Sequence, residues 1–137
     1  KAETENALEC AIILDNWISK TKEMPRLFNK LKLEQMIKEA IPLREVWLIC
    51  SPAKGYISLN QETLQIMALY TAEPGNGLGK ILLDKVKSSR NYLHLWSHSF
   101  NKKAHKFYER EGFDLIGEKE KGDDGLPEMH FEWKRNG

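Results

Sequence analysis

Between Val46 and Tyr70 the sequence sets three apolar, β-prone runs in succession with only short turns between them. Val46-Trp47-Leu48-Ile49-Cys50 is solidly apolar, and Ser51-Pro52-Ala53-Lys54-Gly55 turns the chain. Tyr56-Ile57-Ser58-Leu59 runs back, Asn60-Gln61-Glu62 turns again, and Leu64 to Tyr70 makes the third run. Strands joined this tightly pair with their neighbours as an antiparallel meander, because a parallel return needs a long crossover.

The period differs on either side of the meander. Residues 5–20 read as a helix, with Leu8, Ala11, Ile12, Asp15 and Ile18 at steps of three and four. Residues 22–30 are a charged loop, and residues 32–40 a short helix that ends before Pro42. After the meander, Leu78, Ile81, Leu82 and Val86 fall on one helical face, and Tyr92 to Trp96 is a strand. Asn101 to Glu111 is a helix stopped by Gly112, followed by a strand from Phe113 to Glu118. The last strand alternates, with Met129, Phe131 and Trp133 on one face and Glu128, His130 and Glu132 on the other. The expected fold is α+β: one domain over residues 1–137, with helices flanking a mixed, mostly antiparallel sheet. The strand–helix–strand step in the middle makes one pair parallel.

Net charge is +1, so no strong field draws the chain to nucleic acid or a membrane surface, and neither is expected as a partner. No apolar stretch reaches the length of a membrane span, and no signal-peptide pattern opens the chain, so a cytoplasmic location is expected. Cys10 and Cys50 both read as small buried hydrophobes in a reducing compartment. The four histidines have no metal-ligand spacing, and no metal is expected.

Gly75-Asn76-Gly77-Leu78-Gly79 lies between the third strand and the next helix. Glycines permit positive φ and close approach of a ligand, and a helix start offers N–H groups and a positive dipole end to phosphate oxygens. Taken alone, such a loop is as often a plain turn. A P-loop fits worse, because Gly79-Lys80 is followed by Ile81 rather than Ser or Thr.

The segment Asn101-Lys102-Lys103-Ala104-His105-Lys106-Phe107-Tyr108-Glu109-Arg110-Glu111-Gly112-Phe113 resembles the N-x-x-A-x-x-F-Y-x-x-x-G-F signature of the GNAT acetyltransferases at every fixed position. With Leu69 to Leu83, the resemblance covers residues 46–134. Asp15-Asn16-Trp17-Ile18, Met24-Pro25-Arg26-Leu27 and Gly125-Leu126-Pro127 are similar to a subgroup of small bacterial GNAT proteins. One departure is Pro74, where the family usually has Gln or Arg; proline supplies neither an N–H nor a polar side chain, so pyrophosphate contacts are expected mainly from the backbone of Gly75 to Lys80, and whether CoA binding is weakened stays open.

The resemblance implies acetyl-CoA as co-substrate and transfer of its acetyl group by direct attack of a small-molecule or peptide amine. It implies that Leu69, Tyr70 and Thr71 pair their backbone with the pantetheine arm. Gly75, Asn76, Gly77, Leu78, Gly79 and Lys80 would hold the pyrophosphate, with Asn101 capping its helix and contacting the cofactor. It assigns Tyr108 as general acid to the departing thiolate. Glu62, Tyr70 and His98 are candidate bases beside a water chain, and His94 and His130 read as structural. Trp17, Arg26, Trp47, Glu128 and His130 are candidates for the acceptor pocket. Dimers are common among similar proteins, so a homodimer is one assembly the resemblance allows. A catalytically weak acyl-CoA sensor and a nucleotide-binding protein are the rival readings.

Overall fold

The computed structural model describes residues 1–73, 75 and 77–135; Pro74 and Asn76 lie outside them. A 3-10 turn at Thr4–Asn6 precedes α1 (Ala7–Lys20) and α2 (Lys30–Ala40). Then come β1 (Glu45–Ile49), β2 (Gly55–Asn60), β3 (Gln65–Thr71), α3 (Leu78–Lys87), β4 (Tyr92–His98), α4 (Lys102–Arg110), β5 (Asp114–Lys119) and β6 (Glu128–Lys134). The six strands form one sheet in the order β1-β2-β3-β4-β6-β5, antiparallel except for β3 with β4. The crossover through α3 makes that pair parallel. The α+β class and the mostly antiparallel sheet are as expected.

The strands sort their side chains by alternation. On β2, Ile57 and Leu59 point to a core shared with Leu82, Leu83 and Val86 of α3, Phe107 and Tyr108 of α4, and Phe131 and Trp133 of β6. Tyr56 points the other way, into a smaller core with Ala7, Cys10 and Ile13 of α1 and Ile37 of α2. Helices therefore cover both faces of β2, which explains why five of its six residues are buried instead of every second one. Each fully buried leucine in the larger core contributes about 1.5–3 kcal/mol relative to exposure.

Three details differ from the sequence reading. The buried face of α1 is Ala7, Cys10, Ala11 and Ile13, while Leu8 and Ile12 are exposed. The apolar run there is wide enough to mislead a period count by one position. On α3, Leu83 faces the core and Ile81 is exposed. Cys10 is buried as expected, but Cys50 is exposed, at φ 71° in the turn after β1. The strand stops one residue before it.

Candidate functional site

The parallel junction at the centre of the sheet is incomplete. β3 and β4 share one register position, Gln65 with His94, next to a hydrogen bond from the His94 N–H to the Leu64 carbonyl. From there the strands part. Opposite β2, β3 carries a bulge: Ser58 pairs with Ala68 and Leu59 with Ile66, leaving Met67 as the extra residue. A bulge bends and twists its strand, which turns the end of β3 away from β4. Leu69, Tyr70 and Thr71 pair with Ile57, Tyr56 and Gly55 of β2, so their other edge borders the split. Such an edge can pair with an extended ligand as with an extra strand. Glu62 sits exposed in the turn before β3, at the closed end, and is not brought to the split.

The chain leaves β3 at the open end and enters the glycine loop. Gly75 and Gly77 have φ of 88° and 81°, and a Cβ on either would meet nothing within 4 Å. The residues are therefore glycine for backbone conformation, and the loop presents an open face. Gly77 is the N-cap of α3 and offers no capping side chain. The first-turn N–H groups of Gly79 and Lys80 have no acceptor within the helix. Gly79 has a further structural reason: a Cβ there would meet the Phe107 ring at 3.4 Å, so its absence lets α3 approach α4. The Lys80 ammonium is engaged by Asp84 at 3.1 Å and Glu111 at 3.2 Å.

Tyr108 lies on the α3/α4 face, its ring 5.5 Å from Phe107, 5.7 Å from Phe113 and 5.9 Å from Phe131. Burial and the neighbouring Tyr70 push its phenol well above the ordinary value. Full transfer of its proton to a thiolate is thus more uphill than for a free tyrosine, while the phenol stays protonated and keeps an O–H to donate. Asn101 caps α4 by accepting the Ala104 N–H at 3.3 Å.

A second set of groups gathers on the α1 face of the same split. Trp17 of α1 lies 5.2 Å from the Tyr70 ring and 6.2 Å from the His98 ring, so it spans from β3 to β4. His98 is also stacked on Phe100 at 5.2 Å, and its Nε2 is 2.6 Å from Asp124 Oδ2. Burial alone would raise the Asp124 carboxyl, but the His98 ring and the Leu126 N–H outweigh it and hold it below its ordinary range. Burial, with Asp124 and Glu128 nearby, pushes the Tyr70 phenol up to about 12, which keeps it protonated and leaves no phenolate to act as a base. Donor atoms of His98, Asp124 and Glu128 lie within 4.8 Å of one another. The His98–Asp124 contact is nevertheless a hydrogen bond, shorter than the spacing of two ligands on one tetrahedral ion, so the pair is built for each other.

The remaining acceptor-pocket candidates divide. Glu128 is in this cluster. His130 stacks on Trp96 at 4.1 Å and approaches His94 at 2.9 Å, outside the cluster. Arg26 is held by Asp15 and Ser19. Trp47 is on β1, two strands away, under Lys85. Asp124 was missed because its Gly122-Asp123-Asp124-Gly125 setting signals only a turn. A cavity of about 290 Å³ under α2 reaches Tyr70, whereas a larger concavity of about 600 Å³ between α3 and β1 is remote from the split.

Residues 19–135 match the model of the family described as the acetyltransferase (GNAT) domain. The chain belongs to the GNAT acetyltransferase family. No curated protein matches it. Among solved structures, this GNAT chain is similar to the apo form of YjaB from Escherichia coli, with 20% identity and a TM-score of 0.78 over 98% of this chain and 95% of that one. It is similar to a GNAT-family acetyltransferase from Bacillus cereus ATCC 10987, with 17% identity and a TM-score of 0.78 over 100% and 96%. The yncA protein of Salmonella typhimurium, solved with its cofactor acetyl-CoA, has 14% identity and a TM-score of 0.72 over 99% and 92%. At these identities the likeness is one of fold. Among the described residues no helix is long and apolar enough to cross a membrane.

Proposed function

We propose that this GNAT chain is an N-acetyltransferase that takes the acetyl group of acetyl-CoA and passes it to a primary amine by direct attack. The observation that carries the reading is the split between β3 and β4, with the glycine loop at its open end and Tyr108 beside it. In this reading the edge of β3 at Leu69, Tyr70 and Thr71 pairs with the pantetheine arm. The backbone around Gly75, Gly77, Leu78, Gly79 and Lys80 receives the pyrophosphate, and Asn101 adds a contact from the start of α4. Asn76 would belong to the same loop but lies outside the described residues, as does Pro74. The acetyl-CoA complex of yncA supports this choice of donor.

Tyr108 donates a hydrogen bond to the sulfur as the carbon–sulfur bond breaks. Its raised phenol keeps it protonated, so the hydroxyl stays a donor to the thiolate, with water completing the protonation. The acceptor enters from the α1 face, opposite Tyr108. The test is release of CoA thiol from acetyl-CoA with a panel of primary amines. Turnover with an amine, and formation of the N-acetyl product, is the expected result. Acetyl-CoA binding without turnover on any amine would favour the sensor reading instead.

A further inference from the structure

We propose that His98, oriented by Asp124, accepts the proton of the acceptor amine, and that Asp124 and Glu128 together select amines with no carboxylate beside the nitrogen. The proposal rests on the acetyltransferase reading above and names its base and its acceptor class.

The geometry has two parts. The first is the His98–Asp124 pair. The Asp124 carboxylate can only accept, so His98 donates its Nε2 proton across the 2.6 Å contact, and Nδ1 keeps its lone pair. The same carboxylate stabilises the imidazolium once Nδ1 is protonated, as in other carboxylate–histidine pairs. The ring stacks with both Trp17 and Phe100. Its main chain is held as well, since the His98 carbonyl accepts the Asn101 N–H at 3.0 Å and lies 3.0 Å from His105 Nε2. His98 is the last residue of β4, and Trp17 links it to Tyr70 across the split. The base therefore stands on the face opposite Tyr108, as needed if the amine enters on one side and the thiolate leaves on the other.

The second part is charge. Asp124 and Glu128 bring two carboxylates to one end of the split, and Lys119, 3.4 Å from Glu128, offsets one of them. Among the described residues, the charged and titratable groups around His98 include Asp124 from the β5–β6 turn, Glu128 from β6 with its Lys119, the neutral phenol of Tyr70 from β3, and His105 of α4 at the His98 carbonyl. The residual negative charge attracts an ammonium ion and repels a carboxylate attached next to it. Trp17 and Phe100 add ring faces that a cation also favours.

The step balances without a further reactant. The ammonium first gives one proton to water through His98. The neutral nitrogen then adds to the acetyl carbon, forming the carbon–nitrogen bond, and its surplus proton passes to His98 Nδ1. The carbon–sulfur bond breaks with its electron pair on sulfur, where Tyr108 donates a hydrogen bond. The thiolate takes a proton from water, and His98 returns its own to water.

The test uses the full chain with alaninamide and alanine, which differ only in the group beside the amine. The parent is expected to acetylate alaninamide in preference to alanine. His98→Gln should lower kcat by about 10²-fold while keeping the acetyl-CoA-induced rise in melting temperature. His98→Ala should recover turnover when imidazole is added, an outcome that a packing role would not produce. Glu128→Gln should narrow the preference for alaninamide. Equal turnover of His98→Gln and the parent, or no imidazole rescue, would overturn the assignment of the base. A parent that binds acetyl-CoA yet prefers alanine would overturn the selectivity. A parent that does not bind acetyl-CoA would overturn the underlying acetyltransferase reading, and this result is distinct from the others.

Discussion

Replacing Tyr108 by Phe removes one hydroxyl and leaves the ring among Phe107, Phe113 and Phe131, all with centroids within 5.9 Å. Packing should survive, so the melting temperature should change little. A hydrogen bond to a charged group is worth about 1.5–3 kcal/mol. If that bond forms only as the thiolate develops, its loss lowers kcat by roughly 10- to 150-fold, at 1.36 kcal/mol per tenfold. Acetyl-CoA affinity should be unchanged. The pH dependence adds a second criterion. Burial and Tyr70 raise the phenol, so it stays protonated well past its ordinary value. The deficit should therefore be constant from about pH 7 to 9, below the ordinary tyrosine range. The assay is CoA release with a good amine acceptor across pH, beside a melting curve. Unchanged turnover per folded molecule with a lowered melting temperature would assign Tyr108 to packing. A deficit that appeared only on the alkaline side would show that the phenol titrates in range.

Gly77→Val places a β-branched residue at φ 81° with its side chain on the open face of the loop. It should cost roughly 1–2 kcal/mol of stability and abolish acetyl-CoA binding by calorimetry; an unaltered affinity would make the loop a turn only. Glu45 tests a structural ion pair: burial alone would raise its carboxyl, but the Trp47 indole and Arg90 outweigh burial and hold it below its ordinary range. A carboxyl depressed in the folded state stabilises above its unfolded value of about 4.3 and loses that contribution as pH falls through the lower folded value. Glu45→Gln should therefore destabilise at neutral pH, with the difference shrinking in acid denaturation curves; a constant difference would refute the assignment.

The order and type of the four α-helices and six strands were legible, because the apolar runs were separated by glycine, proline or a cap such as Asn101. Side-chain phase was less legible. In α1 the apolar residues spread over more than one face, so Leu8 and Ile12 looked as buried as Ala7 and Ile13. The glycine loop could be read because positive φ restricts Gly75 and Gly77 to glycine. The α1-face cluster could not be assembled, because Trp17, His98 and Asp124 meet only once β4 and β6 pair and α1 crosses the split. Even the split is a tertiary feature. It depends on the bulge at Met67 and on a single register position between β3 and β4, and neither leaves a pattern in the residues.

The central claim is that the split and the glycine loop hold an acyl-CoA. The most direct measurement is the melting temperature of the chain with acetyl-CoA and, separately, with ATP. Acetyl-CoA at 100 times its dissociation constant should add about 2.7 kcal/mol to the folded state, and ATP should add much less. Stabilisation by ATP with no shift at millimolar acetyl-CoA would contradict the account.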